Sequence, residues 1–216
     1  MQEQSTPLRF DARRHQYFLD GEPVPSVTQI LGIIRKPGLE KWRGSVGNTE
    51  ADRLKRQAAD HGTQVHKACE LVAKGQDTLI AYPAGIIEPA EAFYSWFNAN
   101  VRRVLASEAQ LYNRLQRYAG TVDLVVELLD GTIAVADIKT GRKLGPEVGL
   151  QLAAYHAAMP SAELDLPQDA PVQRIAIHLP RDRPGHLEIV EYRDVTGNWR
   201  AFLAAKRLYD LFGGER

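Results

Sequence analysis

A chain of 216 residues is enough for one domain with a full hydrophobic core, and no apolar run approaches the length of a membrane span. A single cysteine, Cys69, excludes an internal disulfide, and no secretory signal pattern opens the sequence, so a cytoplasmic location is expected. With 27 basic and 27 acidic residues the formal net charge is zero, which excludes a global field as the source of nucleic-acid affinity and leaves that task to local basic patches.

In chain order, alternation and turn residues predict an N-terminal hairpin over about residues 8 to 20, a short helix near 26 to 34, and a glycine-containing loop from Trp42 to Gly47. Helices are expected over about 49 to 74, with a break at His61-Gly62, and over about 88 to 106. Three strands then span roughly 107 to 139, the first opening at Glu108. Pro146 suits the first turn of the next helix. A polar, acidic surface loop over 160 to 171, strands near 172 to 179 and 186 to 193, and a helix over about 196 to 212 complete the chain. No repeat and no low-complexity linker divides it. The expectation is an α/β fold in one domain, residues 1 to 216, with a mixed central β-sheet flanked by helices. The hairpin and helix of about residues 8 to 34 decorate that core.

The most informative segment lies in the last two of the three strands. Of the eight lysines, Lys139 alone has an acidic residue two positions before it, Asp137. Such a tripeptide arises by chance in roughly every second chain of this length, so its context carries the weight. Gly120 to Leu128 and Thr132 to Lys139 both alternate, with a turn signal between them. Register then decides whether Asp123 and Asp137 meet, because a one-residue slip sends them to opposite faces. A two-residue Asp130-Gly131 loop pairs Asp123 with Ile138 and separates the acids. A three-residue loop, Leu129 to Gly131 with Gly131 left-handed, pairs Asp123 with Asp137 and puts Lys139 on the same face. The three-residue loop, or an equivalent bulge, is therefore expected. Two carboxylates and an amine on one hairpin are the minimum kit for metal-dependent phosphodiester hydrolysis.

Other polar residues fall at helical spacing around this hairpin. His66 and Glu70 stand at i and i+4, as do Gln151 and Tyr155, so each pair shares one side of its helix. Each residue also has a plainer reading. Asp123 and Asp137 sit in otherwise apolar strands, where an unpaired buried carboxylate is costly, and this argues for ligation over solvent exposure. Lys139 is either catalytic or a lysine snorkelling from a strand end. His66 taken alone is a satisfied histidine, and Glu70 is as well explained by pairing with Lys67 or Lys74. Glu108 either joins the acids or ends a strand in solvent, and Gln151 and Tyr155 either serve the site or pack in the core. Cys69 reads as a small buried hydrophobe. His15 and His61 have no evident partner, and Trp42, Trp96 and Trp199 read as core, with Trp42 also placed to stack on a base.

The ordered set Gly62-Thr63-x-x-His66-x-x-x-Glu70, Gly120-x-x-Asp123, Asp137-x-Lys139-Thr140-Gly141 and Gln151-x-x-x-Tyr155 resembles the RecB-type branch of the PD-(D/E)XK nucleases. That branch includes phage exonucleases and the mitochondrial genome maintenance exonuclease. Pro25-Ser26-Val27-Thr28-x-x-Leu31 resembles an N-terminal element of those members, and the matches run from about residue 25 to 155. The iron–sulfur members of the branch need four cysteines; with Cys69 alone, a cluster within this chain is excluded.

The resemblance implies a restriction-endonuclease-like core and a DNA exonuclease of phage or prophage recombination and repair. It also implies one Mg²⁺ or Mn²⁺ held by Asp123, Asp137, the backbone carbonyl of Ile138 and His66. Lys139 would orient the attacking water and stabilise developing charge, Gln151, Tyr155 and Glu70 would act nearby, and Arg142 and Lys143 would contact backbone phosphates. A structure-specific or end-trimming endonuclease, and a non-catalytic DNA-binding subunit, are the alternatives. The expected partners are single-stranded or duplex DNA ends and a strand-annealing or recombination protein, with no membrane.

Overall fold

The computed structural model describes residues 7–76, 82–162, 164–166 and 169–213. From the N-terminus, β1 (Leu8–Asp11), β2 (Gln16–Leu19) and β3 (Glu22–Val24) form a small antiparallel sheet. Helix α1 (Val27–Leu31) follows, started by a capping box in which Ser26 Oγ accepts from the Gln29 amide at 3.0 Å and Gln29 Oε1 accepts from the Ser26 amide at 2.8 Å. Helices α2 (Pro37–Val46), α3 (Asn48–Ala73) and α4 (Ala84–Asn100) lead into strands β4 (Val101–Asn113), β5 (Tyr118–Leu128) and β6 (Ile133–Lys139). Helix α5 (Glu147–Ala158), a 3-10 turn at Met159–Ala162, strands β7 (Val172–His178) and β8 (Glu188–Glu191), and helix α6 (Val195–Phe212) complete the chain.

The second sheet has the order β4-β5-β6-β7-β8. Only β6 and β7 pair in parallel, with α5 in the crossover between them. Alternation along β5 and β6 divides the apolar residues between its two faces. Val125, Ile133 and Val135 pack with Ile30 of α1, Leu152 of α5 and Phe202 of α6. Leu124, Val126, Ala134 and Ala136 pack with Val65 and Cys69 of α3 and Phe93 of α4. Helices therefore cover both faces of a mixed sheet, as the sequence led us to expect. Tyr17, Leu19 and Val24 of the small sheet close on Ala119 of β5, beside a bridge between Ser26 and Ala119.

Four elements differ from expectation. The N-terminal hairpin gains a third strand, β3. Residues 37–46 form a helix instead of a loop, with Pro37 in the first turn and Gly47 at φ 83° ending it, so Trp42 lies on α2 with 36% of its surface exposed. Helix α3 runs unbroken through His61-Gly62, because a single interior glycine costs only about 1 kcal/mol and burial of Val65, Ala68, Cys69 and Val72 outweighs it. Helix α4 ends at Asn100 and β4 begins at Val101, where pairing of Val101 with Leu128 and Val104 with Val126 captures residues that read as helical in isolation. In the expected loop over 160 to 171, Asp165 ion-pairs with Arg103 at 3.3 Å, and residues 163, 167 and 168 lie outside those described. No described helix is long and apolar enough to cross a membrane.

Candidate active site

The β5–β6 turn sets the register on which the site depends. Leu128 and Thr132 close the hairpin through Leu128 N to Thr132 O at 2.8 Å, and Gly131 takes φ 86° between them. Leu129 to Gly131 thus form the three-residue loop, with glycine at the left-handed position that a side chain would strain. The pairs Glu127 with Ile133, Val125 with Val135 and Leu124 with Ala136 follow, and continuing that register brings Asp123 opposite Asp137.

Both carboxylates are then held by defined donors. The Ile138 amide donates to Asp123 Oδ2 at 2.6 Å, and His66 Nδ1 of α3 stands 3.4 Å from the same oxygen. Gln151 Nε2 of α5 donates to Asp137 Oδ1 at 2.7 Å and to the Tyr155 hydroxyl oxygen at 3.1 Å. Lys139 Nζ stands 2.5 Å from Asp137 Oδ2. Gln151 thus holds one oxygen of the buried Asp137 carboxylate and Lys139 the other. Gly120 gives Tyr155 its place, since a Cβ there would meet Tyr155 Cε1 at 2.9 Å.

Glu108 completes the group more closely than sequence indicated. It lies between the pairs Ser107–Leu124 and Ala109–Val122, opposite Asp123, with φ 51°. Among the described residues, His66, Glu108 and Asp123 offer ligand atoms that all lie within 4.8 Å of one another. One imidazole and two carboxylates suit a hard divalent ion such as Mg²⁺, and the nitrogen donor makes Mn²⁺ acceptable, whereas Asp137, expected as a ligand, lies outside this 4.8 Å donor group.

The electrostatics follow from burial and from the mutual influence of the clustered charges. Loss of water around the carboxyl, then the neighbouring Asp123 charge, pushes Glu108 up to about 7. Burial likewise pushes Asp137 above the usual carboxylate range, with Asp123 adding to the rise and Lys139 opposing it. Burial also works against ionised Asp123, but His66, Lys139 and the Ile138 amide together hold it low. His66 is raised, because its two acidic neighbours outweigh its own burial. Tyr155 is pushed well above its ordinary value by burial and by both aspartates, so its hydroxyl stays protonated.

The remaining expected residues fall around this centre. Glu70 is bonded by Lys67 at 2.8 Å and by Lys74 on its own helix, the plainer of the two readings, and lies outside the 4.8 Å donor group. Ile138 turns its side chain to the α3–α4 face. Lys143 lines a cleft of about 320 Å³ next to Lys139 and Gln151, together with Lys36, while exposed Arg142 reaches Asp182 only at 3.9 Å. Lys36 is paired with Glu147, and elsewhere Arg35 pairs with Glu40 and Arg43 with Asp52. Cys69 is buried, and His61 Nε2 lies 3.1 Å from the Gly85 carbonyl. One wall of the site had no sequence signal. Phe10, His15 and Tyr17 of the small sheet line the same 380 Å³ cleft as Glu108, Asp123 and Asp137.

A family model described as the PD-(D/E)XK nuclease superfamily matches residues 41–210, and the chain belongs to that superfamily. Its members are metal-dependent nucleases, and the α/β architecture and the donor cluster agree with that class. The chain is also similar to the crystal structure of SSO0001, at 16% identity and a TM-score of 0.41, over 86% of this chain and 72% of that one. No curated protein matches it.

Proposed function

We propose that the protein is a metal-dependent DNA exonuclease of the RecB-type branch, acting in recombination or repair of phage or prophage DNA in the bacterial cytoplasm. The observation that carries the catalytic part of this reading is the meeting of His66, Glu108 and Asp123 donor atoms within 4.8 Å of one another, with Lys139 2.5 Å from the buried Asp137 Oδ2 on the neighbouring strand. The ordered motifs from Pro25 to Tyr155 support the branch.

In this reading His66, Asp123, Asp137 and the Ile138 carbonyl hold Mg²⁺ or Mn²⁺, and Glu108 joins them. Bound there, the cation supplies water activation, an electrophile for the phosphoryl oxygens and relief of leaving-group charge. Lys139 orients the attacking water and faces the developing negative charge. Gln151 would orient Asp137 through Oδ1, while Tyr155 accepts from the same Gln151 amide and anchors it. Lys143, and Arg142 farther out, contact neighbouring phosphates. A strand-annealing or recombination protein is the partner we expect.

End-labelled linear DNA and covalently closed circles, each with Mg²⁺ or Mn²⁺, test the reading. The linear DNA should be degraded from its ends and the circles should survive. Cleavage of closed circles would replace the exonuclease with a structure-specific endonuclease using the same residues. No metal-dependent hydrolysis of either would overturn the enzyme assignment.

A further inference from the structure

The last pair of the β6–β7 ladder sets Lys139 beside His178. Alternation puts Ala176 on the α5 side of the sheet, and His178, two residues on, follows it to the face that Asp137 and Lys139 occupy. The ring is 3% exposed. Its Nε2 lies 2.7 Å from the Gly141 carbonyl oxygen, and because a carbonyl can only accept, the hydrogen of that bond is on Nε2. Nδ1 faces Glu188 Oε2 of β8 at 3.6 Å, so the ring is oriented from both ends.

This bond restrains the segment between Lys139 and α5. Lys139 itself needs no such help, since the Leu179 amide donates to its carbonyl at 2.8 Å and the Arg181 amide donates to the Thr140 carbonyl at 3.2 Å. The ladder ends there. Among the described residues, the His178 ring makes the one hydrogen bond to the backbone of residues 141 to 144, and the next anchor is Leu144, which packs on the core beside α5. Lys143 lies between the two anchors, in the 320 Å³ cleft that also holds Lys139 and Gln151.

We propose that His178 is a positioning residue of the nuclease, which fixes the loop from Gly141 to Lys143 and so sets where Lys143 meets a substrate phosphate. The proposal rests on the nuclease reading above and adds to it a residue too deeply buried to touch DNA. A lysine on a loose loop loses part of its binding free energy to ordering that loop on contact; on a fixed loop only the side chain is ordered. His178 therefore acts on substrate binding, while the ladder keeps Lys139 in place for turnover.

The test compares two removals of the donor with one replacement. His178→Phe keeps the ring without its nitrogens, and His178→Asn keeps an amide that reaches only the position of Nδ1. His178→Gln places a donor near the position of Nε2. Affinity is read in EDTA, by fluorescence anisotropy of a labelled duplex with a single-stranded overhang, across a salt series. His178→Phe and His178→Asn should bind roughly ten-fold more weakly with a log–log salt slope smaller by about one unit, while His178→Gln stays within about two-fold of wild type. In a Lys143→Ala background the same two removals should weaken binding no further. With Mg²⁺ they should raise KM and leave kcat unchanged. Equal losses with and without Lys143, a loss in His178→Gln as large as in His178→Phe, or wild-type affinity in both removals would overturn the proposal. Binding is read without metal and hydrolysis with it, so a wild-type protein that binds DNA without cleaving it sinks the nuclease reading and leaves His178 to be judged on affinity.

Discussion

The Gln151 amide donates to Oδ1 of Asp137 at 2.7 Å, while Lys139 Nζ stands 2.5 Å from Oδ2 of the same carboxylate. Two side chains thus fix the Asp137 carboxylate, one at each oxygen. Removing Gln151 should disorder the carboxylate without deleting it. Gln151→Ala is expected to weaken Mn²⁺ binding by roughly 10- to 100-fold, the usual effect of removing a residue that orients a ligand. Calorimetric titration of the variant checks this; wild-type affinity would leave Gln151 a packing residue.

Lys139 meets Asp137 on the side away from Gln151. Lys139→Ala should keep metal binding and reduce turnover by on the order of 10²- to 10⁴-fold, because the amine acts on water and developing charge. If metal binding disappears in the same titration, the amine is structural.

Glu108 yields a pH prediction. Its folded value of about 7 lies above the ordinary 4.5, so the metal-free native state holds a proton that the unfolded chain has released across that window. Its contribution to stability is fully present below 4.5 and is lost as the pH rises through about 7. In EDTA, melting temperatures of wild type should therefore fall relative to Glu108→Gln as the pH rises through this range. Mn²⁺ should stabilise wild type more than the variant. Parallel pH profiles would place Glu108 outside the cluster.

The hairpin itself was legible from alternation and a turn signal, but turn chemistry left two registers open, and the requirement that Asp123 meet Asp137 selected the three-residue loop that the fold adopts with Gly131 left-handed. The position of Glu108 was less so, because β4 shifts register between Val104 and Ala106, and such an irregularity hides in the alternation. Helix α2 was missed because Gly44 and Ser45 lower its intrinsic propensity, and its end waits for Gly47. The aromatic wall was not legible at all. It arises when the small sheet docks on β5 through Tyr17 and Thr121, 104 residues apart. Nor could a count of charges show that Arg35, Lys36 and Arg43 each find an acidic partner in the fold.

That pairing narrows the prediction for DNA affinity. Among the described residues Lys143 makes no ion pair, and Arg142 makes only the 3.9 Å approach to Asp182. Replacing both with alanine should raise KM with little change at saturation, and should reduce the log–log salt dependence by roughly one unit for each phosphate that is no longer neutralised. An unchanged salt slope would move the phosphate track elsewhere.

Every catalytic role assigned above depends on a divalent-metal centre built on His66, Glu108, Asp123 and Asp137, and pulsed EPR of bound Mn²⁺ reports on that centre itself. We expect one tightly bound ion showing hyperfine coupling to a single imidazole nitrogen, with that coupling absent in His66→Ala and the ion released in Asp123→Asn. Tight Mn²⁺ binding without nitrogen coupling in wild type, or binding unchanged by both substitutions, would contradict the assignment.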